Sequence, residues 1–202
     1  MLYLFYLKKA FSVLFSTLTG SFYLLLWGVH FSFPIKLFGL PKVFKSRKGF
    51  ISLGKGVRLN SNYSSNLAGA WHPVSISAIK GGSIKIGNNT GISSSVIISE
   101  NSIVIGDNVM IGVGCTICDT DFHPIAYQER LIPGARGKKA KIIIEDGVFI
   151  GMHSTVLKGV TIGARTVVAA NSIVTKSLPP DVIAGGCPAR VIRTINQTSS
   201  QE

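Results

Sequence analysis

The chain has 202 residues, a formal net charge of +12 and three cysteines, Cys115, Cys118 and Cys187. This length gives one domain of ordinary size with an appendage, and such a domain buries an apolar core without help from disulfides. An odd cysteine count without a CxxC spacing excludes a disulfide framework and a zinc site of the usual spacing, and it is typical of a reducing compartment.

The positive charge is concentrated in the N-terminal half. Residues 1–99 contain eleven Lys or Arg and no acidic residue, whereas residues 100–202 contain ten basic and nine acidic residues. A basic half of this kind attracts nucleic acid or anionic lipid. Because the basic residues cluster beside an apolar segment and no nucleic-acid-binding motif accompanies them, the sequence predicts contact with an anionic membrane surface and none with nucleic acid.

The first element is that apolar segment. Residues 10–35 contain no Lys, Arg, Asp or Glu over 26 positions, which is long enough to cross a bilayer as one helix. A basic stretch, residues 36–48, follows and favours the cytoplasmic face of the inner membrane. Three interpretations stay open: two helices in the membrane interface separated at Gly20-Ser21, a single span, or an apolar arm buried in an oligomer. Residues 1–48 are therefore predicted to form a membrane-associating arm.

A six-residue repeat follows. It reads IGNNTG, ISSSVI and ISENSI from Ile86, resumes after one extra residue, Val104, as IGDNVM, IGVGCT and ICDTDF, and returns as six further units from Ile144. Its aliphatic positions are 86, 92, 98, 105, 111, 117, 144, 150, 156, 162, 168 and 174. Helices repeat an apolar face every three or four residues and half-buried strands every two. A period of six instead indicates short flat strands joined by tight corners, where Gly or Asn adopts the corner conformation.

These units resemble the hexapeptide-repeat acyltransferases. The resemblance implies an all-β fold, a left-handed parallel β-helix of triangular cross-section with three hexapeptides per coil, preceded here by the N-terminal apolar helical arm. It predicts a β-helix domain over residues 49–195 and a polar tail over 196–202, with the arm covering one end of the prism. It also implies a homotrimer with active sites between neighbouring prisms.

The irregularities of the repeat predict a loop. The extra residue at Val104 comes after three units and the long gap comes after six, so both fall at the same corner of the prism. The gap is expected to form a protruding loop over residues 118–141, and it opens with CDTDFHPIAYQER.

His123 is the predicted general base, because imidazole exchanges protons near neutral pH. Galactoside, serine and xenobiotic acetyltransferases carry a loop His, followed by Pro in several of them, at the place of FHPI, so the resemblance implies that His123 takes the proton of an acceptor hydroxyl. The base needs an acidic partner that orients it. Asp121 and Asp119 would both share its face of an extended stretch, so the spacing leaves both open.

The resemblance also implies an acetyl-CoA site along the C-terminal repeats. A backbone amide at Ala170 matches a pantetheine contact, and Thr175 and Lys176 match the Thr-Lys pair that follows. Arg190 and Arg193 are placed to meet the nucleotide phosphates. Met152 occupies the position of a small residue near the thioester.

The acceptor site is predicted from scattered residues. Ser94 aligns with an acceptor-binding position of galactoside-type enzymes. Trp71 and His72 are suited to stack on and hydrogen-bond a sugar ring, and Tyr127 and Arg130 stand on the loop.

Two other classes are weighed against this interpretation. Zinc carbonic anhydrases of the same fold need three converging histidines, and the four histidines of this chain include no closely spaced pair within the repeats, so no metal is expected. A non-catalytic scaffold would not require the His-Pro loop. The expected function is acetyl-CoA-dependent O-acetylation of a sugar hydroxyl on a surface glycan, such as O-antigen or capsule, or on its lipid-linked precursor. The alternative is a soluble acceptor: serine, an antibiotic or a nucleotide-linked amino sugar.

Overall fold

Short strands dominate the computed structural model, which describes residues 2–63, 66, 68–69 and 72–195. The helices are α1 (Leu2–Leu26) and α2 (Tyr127–Arg130). The strands fall into six coils of three: β1 (His30–Phe31), β2 (Lys36–Phe38) and β3 (Lys42–Lys45); β4 (Phe50–Leu53), β5 (Arg58–Asn60) and β6 (Ser75–Ala78); β7 (Ser83–Ile86), β8 (Gly91–Ser93) and β9 (Val96–Ser99); β10 (Ser102–Ile105), β11 (Met110–Ile111) and β12 (Thr116–Cys118); β13 (Ile142–Ile144), β14 (Phe149–Ile150) and β15 (Thr155–Leu157); β16 (Thr161–Ile162), β17 (Val167–Val168) and β18 (Ile173–Val174). A terminal pair, β19 (Val182–Gly186) and β20 (Ala189–Thr194), follows.

Every third strand pairs in parallel, so the coils stack into a prism with three faces. Sheet A has the order β1-β4-β7-β10-β13-β16, and sheet C has the order β3-β6-β9-β12-β15-β18. Sheet B runs β2-β5-β8-β11-β14-β17 and ends on β19 and the antiparallel strand β20. This arrangement confirms the predicted parallel β-helix.

The core is a set of aliphatic stacks inside the prism. On sheet A, Ile86, Ile105, Ile144 and Ile162 lie in register from coil to coil, and all are buried. Alternate side chains of a strand point to opposite faces. Most strands therefore send one or two aliphatic side chains inward, and close packing of these columns stabilises the stack.

One register position differs from the sequence count. Ile97, and not Ile98, is fully buried and pairs with Ile117 on sheet C, while Ile98 is half-buried on the outer side. The corner before Ile97 is one residue shorter than the repeat, and in it the hydroxyl of Ser95 contacts the carbonyl oxygens of Ser93 and Gly112, at 2.8 and 2.7 Å. Two adjacent isoleucines made the sequence ambiguous at this point.

The strands begin at His30, ahead of the boundary at residue 49 that was predicted from the repeat. Within the arm, α1 lies against the first coil: Thr17 Oγ1 accepts a hydrogen bond from the Leu37 amide at 3.1 Å, and Leu24 is fully buried. α1 is continuous through Gly20-Ser21, so the alternative of two helices separated at this point does not hold. Gly20 allows the close approach, because a Cβ at this position would collide with the side chain of Leu37.

The C-terminal half of α1 thus covers the first coil, as predicted for the arm. Among the residues that the structure describes, neither helix has the length and hydropathy of a transmembrane segment.

Candidate active site

The loop leaves the prism where sheet C passes to sheet A, here called the C/A corner. β12 ends at Cys118 and β13 begins at Ile142. An antiparallel bridge between Thr120 and Lys139 closes the base of the loop, and the Ala140 amide donates to the Asp119 carbonyl at 3.0 Å. The loop therefore departs from and returns to one corner, which is where the repeat count predicts it.

Asp119 is fully buried under this base. Its carboxylate accepts hydrogen bonds from Ser99 Oγ at 2.6 Å, from the Glu100 amide at 2.8 Å and from the Asn101 amide at 3.0 Å. Hydrogen bonds to an ionised acceptor are the stronger kind. These three donors use both oxygens, so Asp119 joins the loop to the preceding coil and has a structural role.

Asp121 has different surroundings. Its Oδ1 lies 2.6 Å from Lys158 Nζ, while Oδ2 is buried without a hydrogen-bond partner among the described residues. Its backbone carbonyl accepts a hydrogen bond from the His123 amide at 2.6 Å. Of the two candidate partners for His123, Asp121 is the one with a carboxylate oxygen still available.

His123 is exposed at the surface of the loop. The returning arm of the loop packs against its backbone at Gly137, where a Cβ would lie 2.6 Å from the His123 carbonyl oxygen and 2.8 Å from Asp121 Cβ. Any larger residue would push the two arms apart, so this glycine fixes the backbone beneath the base. No hydrogen bond joins the imidazole to Asp119 or Asp121 among the described residues.

The remaining loop candidates lie on α2. Arg130 donates from Nη1 to the carbonyl oxygens of Pro124 and Ile125, and its guanidinium lies 6.0 Å from the centre of the Tyr127 ring. Through these contacts Arg130 stabilises the turn that follows His123. Tyr127 is exposed and stays a predicted acceptor contact.

The Ser94 interpretation finds no support in the structure. Ser94 is fully buried, its hydroxyl donates to the His72 carbonyl, and it accepts a hydrogen bond from the His72 amide at 3.3 Å. The residue therefore fixes the backbone of His72. The His72 side chain is half-buried, with Nδ1 2.8 Å from the Pro73 carbonyl oxygen. Trp71 lies outside the described residues.

The predicted acetyl-CoA residues divide between two corners. Met152 and Ala170 line a depression with Gly151 and Ala169 at the corner between sheets B and C, here called the B/C corner. Thr175 and Lys176 are exposed at the C/A corner of the sixth coil. Arg190 and Arg193 are exposed on β20. One prism alone does not bring these sets together at one point.

The buried cysteines lack the environment of a nucleophile. Burial raises the pKa of the Cys115 thiol, and burial likewise raises the pKa of the Cys118 thiol. A thiol must ionise to attack a thioester, so neither cysteine is suited to a covalent intermediate. Among the described residues, no cluster of three or more metal-ligating side chains is present.

Sequence reasoning missed Lys158. The six-residue register could have found it, because VLKGVT places residue 158 directly after β15, at the same C/A corner as the loop. An isolated lysine in a regular unit gave no other signal.

Comparison with known families supports the repeat. Residues 141–176 match the family model for the bacterial transferase hexapeptide (six repeats), and residues 102–120 match that for the hexapeptide repeat of succinyl-transferase. Galactoside O-acetyltransferase of Escherichia coli K12 is 38% identical over 128 residues, which is 63% of this chain and 62% of the relative. Its namesake from Lactococcus lactis subsp. lactis is 40% identical over 102 residues, or 50% and 48% of the two chains.

Solved structures of acetyltransferases are also similar to this chain. A hexapeptide-repeat acetyltransferase of Vibrio cholerae O1 biovar eltor, complexed with acetyl coenzyme A, superposes with a TM-score of 0.53 at 40% identity over 56% of this chain and 61% of that chain. The polySia specific acetyltransferase NeuO reaches a TM-score of 0.69 at 23% identity over 86% and 70% of the chains, a likeness in fold alone. The chain spans less than two thirds of the curated relatives named above. These matches show hexapeptide repeats in the chain, and its fold is similar to the left-handed parallel β-helix of hexapeptide-repeat acetyltransferases.

Proposed function

We propose that this protein is an acetyl-CoA-dependent O-acetyltransferase that transfers an acetyl group to a sugar hydroxyl of a surface glycan or of its lipid-linked precursor. The observation that carries the proposal is the exposed His123 on a loop fastened to the prism by Asp119. The similarity to proteins named galactoside O-acetyltransferase supports a sugar hydroxyl as the acceptor.

His123 acts as the general base. Its imidazole takes the proton of the acceptor hydroxyl while the hydroxyl oxygen attacks the thioester carbonyl carbon of acetyl-CoA. The tetrahedral intermediate then breaks its carbon–sulfur bond, and the imidazolium returns the proton to the departing thiolate. The products are the acetyl ester and free coenzyme A. Direct transfer fits the raised pKa of both buried cysteine thiols.

Acetyl-CoA is proposed to bind between copies of the chain. Small residues at the B/C corner, Gly151 and Ala169, leave room for a narrow pantetheine arm. The exposed cations Lys176, Arg190 and Arg193 offer charged donors to phosphate groups. Gly151 and Ala169 lie at the B/C corner, whereas the His123 loop leaves at the C/A corner. Completion of the site by a neighbouring prism would join the two corners, which fits the predicted homotrimer.

A membrane-held enzyme fits a lipid-linked acceptor. The outer side of α1 exposes seven large apolar side chains, each at least 58% accessible: Phe11, Leu14, Phe15, Leu18, Phe22, Leu25 and Leu26. The first coil beneath it carries exposed Lys36 and Lys42, and no acidic residue precedes Glu100. An apolar face beside basic residues is typical of helices that lie in the interface of anionic membranes. These features support the proposal that the protein associates with the cytoplasmic face of the membrane.

The test is turnover by purified His123→Ala. We expect turnover to fall by at least roughly a hundredfold, the contribution typical of a general base, while acetyl-CoA binding measured by calorimetry stays unchanged. His30→Ala is the matched control, since His30 is also exposed but lies in the first coil. Coenzyme A release is measured with a panel of lipid-linked and soluble sugars, serine and amino sugars. Near-normal turnover by His123→Ala would exclude this base, and preference for a soluble acceptor would favour the alternative function.

A further inference from the structure

The structure assigns a role to Lys158, which lies at the C/A corner one coil beyond the loop. We propose that Lys158 is a positioning residue: its ammonium group fixes Asp121 so that the second carboxylate oxygen of Asp121 can orient the imidazole of His123. This inference rests on the proposed function, because it requires His123 to be the base.

The contact between Lys158 and Asp121 is short and shielded. Lys158 Nζ lies 2.6 Å from Asp121 Oδ1, and the two side chains are only 27% and 23% accessible. Charges that are partly withdrawn from solvent are screened less than surface pairs. The pair also joins different parts of the fold, since Lys158 stands on the rigid prism and Asp121 on the loop. It therefore holds the loop carboxylate in one orientation.

The second carboxylate oxygen of Asp121, Oδ2, is free to accept a hydrogen bond from His123. Oδ2 is buried, and no hydrogen bond reaches it among the described residues. A buried carboxylate oxygen without a donor is costly and is rare outside functional sites. His123 is two residues away, and its amide already donates to the Asp121 carbonyl. An imidazole N–H from His123 is thus the donor that the local chain offers.

Neighbouring charges at this corner have other partners. Lys80 Nζ lies 2.8 Å from Glu100 Oε1, and Lys139 Nζ donates to the Glu100 carbonyl at 2.9 Å. Asp119 is occupied by its three donors from the preceding coil. The ammonium of Lys158 therefore acts on Asp121 specifically. When the imidazole takes a proton, its positive charge forms beside a carboxylate that is already held in place.

The experiment is a double-mutant cycle on the full chain. Lys158→Met should lower kcat about tenfold, as is typical when a partner that orients a functional side chain is lost, with the KM for acetyl-CoA unchanged. Lys158→Arg should recover most of the turnover, because it restores a cation. Asp121→Asn combined with Lys158→Met should be no slower than Asp121→Asn alone, since a residue that acts only through Asp121 has nothing left to position.

The outcomes separate the two proposals. Independent, additive losses in the cycle, or full turnover by Lys158→Met, would overturn the role of Lys158 while leaving His123 as the base. Full turnover by His123→Ala would instead remove the proposed mechanism itself. Lys55→Met, an exposed lysine of the second coil, is the control for loss of a surface charge. If Lys158→Met fails to fold, Lys158→Gln replaces it: an active Arg variant beside a slow Gln variant supports the proposal, and equal turnover opposes it.

Discussion

Asp119 and Asp121 are two positions apart, and burial together with hydrogen-bond donors separates their roles. Asp119 meets two backbone amides and a hydroxyl of the preceding coil, whereas Asp121 meets one lysine and keeps a buried oxygen without a partner. Extended spacing alone would give both side chains the same face. The chain turns only after both residues, at Phe122, which has a φ of 59°.

Replacement of Asp119 is expected to destabilise the fold. Asp119→Ala leaves the Ser99 hydroxyl and two amides without their acceptor, at roughly 1–3 kcal/mol for an orphaned buried group. We expect the free energy of unfolding to fall by about 3 kcal/mol, measured by chemical denaturation. Asp121→Ala is the matched control and should cost less, because its carboxylate is partly accessible. Equal losses in the two variants would contradict the structural role of Asp119.

At the scale of elements, the corners between sheets A and B are linked by a ladder of side-chain acceptors. Asn88 Oδ1 accepts from the Lys55 amide at 2.9 Å, Asp107 Oδ1 from the Asn88 amide at 2.7 Å, and Asp146 Oδ1 from the Asp107 amide at 2.7 Å. Each rung pairs a corner amide that the sheets leave without a strand partner. The ladder joins the second coil to the fifth.

This ladder predicts a pH dependence of stability. The hydrogen bond from the Asn88 amide lowers the pKa of Asp107 below its ordinary value of 3.8. A carboxyl group with a lowered folded pKa stabilises the fold above its unfolded pKa, and this contribution is lost as the pH falls through the folded pKa. Melting temperatures should therefore drop as the pH decreases below 3.8, and Asp107→Asn should flatten that drop. Parallel curves for the two proteins would contradict the assignment.

The sequence predicted most of the repeat and the position of the loop, because a period of six counts coils directly. The sequence did not predict which residue is buried where two apolar residues are adjacent, nor the strands where the six-residue period is absent. Ile97 and Ile98 are equally apolar, so the side-chain pattern alone does not show that Ile97 is the one that points inward. The first coil, residues 30–45, has no hexapeptide pattern and follows an apolar segment directly. Its sequence was therefore assigned to the membrane-associating arm and its basic flank, and the three strands were not predicted. Lys158 was missed because its partner is 37 positions away in sequence.

For the whole molecule, the two sides of α1 differ. One side of the helix packs on the first coil through Leu24 and Thr17, and the other side exposes large apolar side chains. Removal of residues 1–48 would also remove the first three strands. Point substitutions on the exposed side therefore separate membrane contact from folding.

We expect the full chain to sediment with vesicles that contain anionic phosphatidylglycerol. Phe15→Ser with Phe22→Ser should release it, since both side chains are more than 60% exposed and contribute apolar area to the contact. Leu131→Ser with Ile132→Ser, at 59% and 60% exposure in the loop, is the matched control. Added salt should weaken binding. Equal sedimentation of both double variants, or no binding by the unaltered chain, would contradict the proposed membrane contact.

The closed base of the loop lets the loop vary without affecting the stability of the prism. Thr120 bridges Lys139, and the amide of Ala140 donates to Asp119, so the segment between these points begins and ends at one place on the prism. Strands β12 and β13 keep their register with the neighbouring coils on either side of it. The side chains of residues 124–136 can therefore change without moving a core side chain. Under the proposed function, different acceptors can then be bound by variants of this segment, while the prism, Asp121 and His123 stay the same.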